Sequence, residues 1–166
     1  MTEISPASAI SSRQLLRHAL ATAAYRAGKA LRGAPAGFAD FRASETTRSP
    51  VEILAHMGDL FDWALTLVQG TQKWNVANPL PWEQETARFF AALEALDAYL
   101  ASDAPLGCPA EKLLQAPIAD ALTHIGQIAM LRRIAGGPMR GENYFAAEIV
   151  AGRVGGEQAA PKFEFD

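Results

Sequence analysis

The chain has 166 residues, which at the usual domain size of roughly 100–200 residues makes one domain able to bury a core of its own. Hydrophobic residues make up 49% and charged residues 20%, a balance that excludes a disordered chain. With 15 Lys and Arg against 18 Asp and Glu, the formal net charge is −3 and no basic stripe stands out, so nucleic acid is not an expected partner.

From the N-terminus, Met1 to Pro6 has no basic stretch leading into an apolar run, and the lone Cys108 cannot form an internal disulfide. Asp59, Asp62 or an arginine interrupts every apolar segment, so no membrane span is expected. These features predict a cytoplasmic protein.

The first predicted helix covers about 10–32, where Leu15, Leu16, Ala19, Leu20 and Ala23 recur at spacings of three and four. Gly33 to Gly37, with Pro35, ends it, and the connection to residue 49 is long enough to allow something other than a simple up-down arrangement. Ser49-Pro50-Val51-Glu52 then reads as an N-cap, a proline in the first turn and a capping-box glutamate, opening a helix over 50–69. A Gly70–Pro81 break leads to a third helix over 81–102, with Phe89, Phe90, Leu93, Leu96 and Leu100 as its apolar stripe. After the break at 103–109, Pro117 is expected to open a fourth helix over 116–135, which Gly136-Gly137-Pro138 stops. A shorter helix is expected near 142–151, followed by an extended tail over 152–166. The whole, residues 1–166, is an all-α single domain: a four-helix bundle with its core over about 10–150, a short extra C-terminal helix and an extended tail.

Chemistry must run through few positions. His18 lies beside Arg13 and Arg17, whose charges would repel a cation, and reads as a surface or packing residue. His56 and His124 fall inside predicted helices with carboxylates at neighbouring spacing: Glu52 and Asp59 around His56, and Asp120 four residues before His124. Residues i and i+4 project from one helix face about 6 Å apart, a separation that suits two ligands on one cation. Between Lys112 and Arg132 only Asp120 is formally charged, so this helix reads as buried on both sides. If the second and fourth helices face each other, His56, Asp120 and His124 form an open two-histidine, one-carboxylate site of the kind that holds zinc or non-haem iron. The same spacing also fits a surface His–Asp pair worth a few tenths of a kcal/mol. Trp63, seven residues after His56, can line the same pocket. Cys108, between Gly107 and Pro109, reads as incidental, with a thiolate nucleophile as the alternative. Arg132-Arg133 sits near a helix C-terminus, where cations favour the dipole.

The run Asp120-Ala-Leu-Thr-His124-Ile-Gly126-Gln127-Ile128, followed by Leu131-Arg132, resembles the last-helix motif of the DinB-like (YfiT-like) metalloenzyme superfamily, and Ser49 to His56 resembles its second-helix histidine. The resemblance spans about residues 10–150 and implies His56, Asp120 and His124 as metal ligands, with Asp120 where the family usually carries histidine. It further implies a homodimer that acts on a small-molecule substrate, as a thiol-linked transferase or isomerase or as a hydrolase, with a low-molecular-weight thiol as a partner. The ion would be zinc or nickel first, iron or manganese next. Glu52 or Asp59 would orient His56 or act as a base, and Gln127 would contact substrate. The alternative is a non-catalytic dimeric bundle that binds a small ligand or protein partner through the same polar pocket.

Overall fold

The structure, a computed structural model, describes residues 10–166. Three long helices appear where periodicity and caps put them: α1 (Ser12–Leu31), α2 (Pro50–Val68) and α3 (Trp82–Ala101). Ser11 and Gln14 cap α1 reciprocally, and the Ser49 N–H donates to Glu52 Oε2 at 2.7 Å to close the first turn of α2.

The fourth helical run begins earlier than Pro117. It comprises α4 (Ala110–Leu113), a π-helical turn (Leu114–Ile118) and α5 (Ala119–Ile134). Pro117 lies inside this run instead of opening it. Proline removes a backbone donor and pushes against the carbonyl one turn earlier, and the wider π turn gives that carbonyl room. The expected helix near 142–151 is absent. Gly141–Glu142 (β1) instead pairs antiparallel with Glu164–Phe165 (β2) in the tail, and residues 144–147 form a turn.

The helices form a bundle in which α3 and α5 each contact both α1 and α2. Leu20, Leu54, Phe61, Phe89, Leu93 and Ile128 fill its centre. Directions follow from contacts at the ends. At one end, Arg13 near the start of α1 donates to carbonyls from Tyr99 to Ala104 at the end of α3, and the Gly107 N–H donates to Val68 O at the end of α2. At the other end, Phe38 stacks edge-on against Trp82 at the start of α3, and Arg132 near the end of α5 meets the end of α1. So α1 and α5 run one way, and α2 and α3 run the other. Two successive parallel helices need a crossover, and residues 69–81 supply it. Gly70 (φ 76°) and Gln72 (φ 47°) turn the chain back along α2.

Arg88 on α3 locks the α2–α3 pair. Its guanidinium donates to Ala55 O (2.6 Å), Asp59 Oδ1 (3.1 Å), Asp62 Oδ2 (3.0 Å) and Glu85 Oε1 (2.5 Å). It lies over Gly58, where an added Cβ would come within 2.8 Å of it. A second lock holds the tail: buried Glu142 accepts from Tyr25 Oη (2.6 Å) and Lys29 Nζ (2.9 Å), and Lys29 also pairs with Glu164 at 2.9 Å.

Arg132 is buried, and it does not serve the C-terminus of its own helix. It donates to Ala30 O (2.9 Å), a carbonyl left unpaired in the last turn of α1, and to Arg32 O (2.6 Å) and Gly33 O (3.1 Å) just past that helix's end. Among the described residues no helix is long and apolar enough to cross a membrane. Replacing Arg132 with Met keeps the aliphatic stem and strands these carbonyls. Arg132→Met should cost about 2–3 kcal/mol and lower Tm by roughly 5–10 °C, measured by thermal denaturation with α5 otherwise intact.

Candidate metal centre

The antiparallel contact between α2 and α5 brings His56 opposite Asp120 and His124. His56 Nε2 lies 3.5 Å from Asp120 Oδ2, and His124 Nε2 lies 3.5 Å from Asp120 Oδ1. The two imidazoles meet edge to face with centroids 4.9 Å apart, and one ligand atom from each residue falls within 4.8 Å of the others. The 3.5 Å separations exceed the roughly 2.7–3.2 Å of a good N–H···O hydrogen bond. Each approaches the spacing of about 3.3 Å between two ligand atoms on one tetrahedral cation with bonds of about 2.0–2.1 Å, but they run to different Asp120 oxygens, and the side chains would draw in by up to about 1.5 Å to share one ion. Two imidazoles and a carboxylate form a donor set that could hold a divalent cation while leaving further positions open.

Gln127 touches His124. Their Nδ1···Oε1 distance is 2.7 Å, so Nδ1–H donates to the amide oxygen and Nε2 is the nitrogen left facing Asp120. This is the positioning partner that a histidine ligand needs, one turn further along the same helix. His56 holds its proton less tightly than an ordinary histidine. Partial burial is the main cause, the neighbouring His124 and the Arg48 charge add to it, and Asp120 opposes them. Near neutral pH the neutral ring is therefore favoured, with one nitrogen free to donate its lone pair.

Neither of the other two carboxylates reaches the histidines. Glu52 is held by Arg42 at 2.7 Å and by the Ser49 N–H, and these bonds keep its carboxyl below the usual range. Asp59 is buried, bonded to Arg88 and to the Ala77 N–H. Both line the depression beside His56, yet their charges are spent fixing the loop before α2 and the crossover after it. Cys108 stands apart at the other end of the bundle. Burial and Glu111 push its thiol up, which keeps it protonated and disfavours the thiolate alternative. His18 is exposed on α1.

The α5 helix is not buried on both sides. The Asp120 side chain is 46% exposed, and Thr123, Gly126, Gln127 and Met130 also face outward. The triad thus sits at the surface where three depressions meet. A cavity of about 470 Å³ borders His56, one of about 430 Å³ borders Asp120, and one of about 390 Å³ borders His124. Trp63 lines the second of these.

Two neighbours were not foreseen from sequence. Trp74, on the crossover, meets the His56 ring at 5.9 Å and the Trp63 ring at 5.6 Å, both edge to face. Arg48, the residue before the α2 N-cap, lines the cavities on the His56 and His124 sides alike. A basic residue adjoining a strong helix start that leads into a candidate ligand was the available signal for Arg48. Trp74 had none, because it reaches His56 only through the course of the crossover. Comparison with family models, curated proteins and solved structures finds no match to this chain.

The depressed proton affinity of His56 carries a stability consequence. Below the ordinary histidine pKa of about 6.5 the unfolded chain takes up a proton that the folded protein resists, so folding stability falls as pH drops from 7 through 6. In metal-free protein His56→Gln should flatten the Tm-against-pH curve between pH 7 and 5.5. An unchanged slope would mean that His56 titrates normally.

Proposed function

We propose that this is a DinB-like metalloprotein that holds a divalent cation, zinc or nickel first and iron or manganese next, on His56, Asp120 and His124 and acts on a small molecule. The observation that carries the reading is the convergence of three donor atoms from α2 and α5, two of them at 3.5 Å from Asp120, with His124 oriented by Gln127. A cation bound there would act as a Lewis acid that lowers the proton affinity of a water or a low-molecular-weight thiol near neutral pH.

The protein's own residues supply the rest. Gln127 accepts from Nδ1 of His124 and leaves Nε2 as the nitrogen on the Asp120 side, and the environment of His56 disfavours the protonated ring that would repel a cation. Trp74 shields one side of His56 from water. With Glu52 and Asp59 bonded elsewhere, Asp120 is the carboxylate left at the centre, and its exposure leaves one side open to a substrate. The reaction class that fits is a transfer or hydrolysis initiated by a deprotonated thiol or water. If no ion binds, the same surface depressions support the alternative, a bundle that binds a small ligand without catalysis.

Elemental analysis of protein purified without a nickel column, followed by dialysis against Zn²⁺, Ni²⁺, Fe²⁺ or Mn²⁺, tests the reading. One ion per chain is expected, with Tm rising as free ion increases by an amount equivalent to about 2.7 kcal/mol at a hundredfold excess over Kd. His124→Ala should abolish uptake, while Asp120→His should retain it. Wild-type protein that takes up no stoichiometric ion would overturn the proposal.

A further inference from the structure

We infer that Arg48 is the anion-recognising residue of this site, and that the small molecule it selects carries a carboxylate at one end and an apolar, ring-sized portion that rests on Trp74. The inference rests on the reading of the triad as the reactive centre and adds the chemical class of its substrate.

The placement of Arg48 is the first ground. Thr47 and Arg48 form the ridge between the cavity bordered by His56 and the cavity bordered by His124, and both residues line both cavities. A group held by Arg48 therefore lies beside the triad from either side. The ridge is also built. Arg42 donates to Thr47 O at 2.6 Å and to Glu52 at 2.7 Å, and Glu52 bonds the Ser49 N–H, so the backbone on either side of Arg48 is tied to the first turn of α2.

The second ground is the unspent charge. Arg42 is paired with Glu52, and Arg88 with Asp59, Asp62 and Glu85, whereas Arg48 makes no hydrogen bond or ion pair with any described residue and is exposed. The planar fork of a guanidinium matches a carboxylate with two parallel hydrogen bonds. The third ground is the apolar lining of the same cavity. Trp74 is 44% exposed and Val76 79% exposed, both lining the cavity that contains Arg48 and His56. Large apolar side chains left open beside an unpaired cation and a cluster of donor atoms suit a ligand that is apolar at one end and anionic at the other.

The test uses phenylacetate and its neutral counterpart phenylacetamide, titrated calorimetrically and by tryptophan fluorescence into the full chain, first metal-free and then with Zn²⁺. Wild-type protein should bind phenylacetate about fivefold or more tightly than the amide in the metal-free state, where no zinc position can take the carboxylate and the preference reports on Arg48 alone. Arg48→Gln should remove that preference and leave amide binding unchanged, and Arg48→Lys should restore part of it. Arg32→Gln, which alters an arginine at the end of α1, should change nothing. In metal-free protein, no preference in wild type, or a preference that survives Arg48→Gln, overturns the inference. Zinc uptake, measured separately by dialysis, distinguishes the two readings. Loss of zinc binding with the carboxylate preference intact overturns the metal site alone, and zinc binding without the preference overturns the role of Arg48 alone.

Discussion

The reach of Arg88 across Gly58 sets the rotation of α2, and the candidate site depends on that rotation. Parallel neighbouring helices gain nothing from their dipoles, so α2 and α3 need another means of registration. Arg88 provides it by bonding Ala55 O, Asp59 and Asp62, which together mark the α3-facing side of α2. One residue on from Ala55, about 100° around the helix, His56 is thereby turned away from α3 and toward α5. Gly58 is needed because the guanidinium occupies the space a side chain would fill.

Much of the bundle was legible in the sequence because its determinants are local. The Ser49–Glu52 capping box and the three-and-four spacing in α1 and α3 act within a turn or two, and the observed ends fall within two residues of those expected. The misreadings occur where distant partners decide. Pro117 looks like a helix start, but Ala110 to Leu113 already forms a turn behind it, and the run absorbs the proline by widening. Residues 142–151 do not form a helix because Glu142 is drawn to Tyr25 and Lys29, over a hundred positions away, while the adjoining backbone pairs with the tail.

The site divides along the same line. The i, i+4 relation of Asp120 and His124, and Gln127 one turn on, are properties of a single helix and could be read directly. Glu52 and Asp59 have helical spacing just as favourable toward His56, yet each is captured by an arginine from another element, Arg42 from the preceding loop and Arg88 from α3. Spacing shows which side chains are able to meet, and competition for charge determines which do. The expectation that α5 is buried on both sides failed for a related reason. Its lack of charged residues does not bury it, and Met130 and Ile134 remain 56% exposed.

The crossover that carries Trp74 differs in kind from the helices that carry the histidines. Residues 71–81 form no regular secondary structure, and the segment is tied to α2 mainly through Thr66 and through the single bond from the Ala77 N–H to Asp59. The donor atoms are thus mounted on rigid rods, while the surface that a ligand would press against belongs to a strap whose sequence has few packing duties. Insertions, deletions and substitutions in that strap can reshape what the surface admits without disturbing the geometry of the donors. The surface beside the candidate donors can thus vary while the helices keep those donors in place.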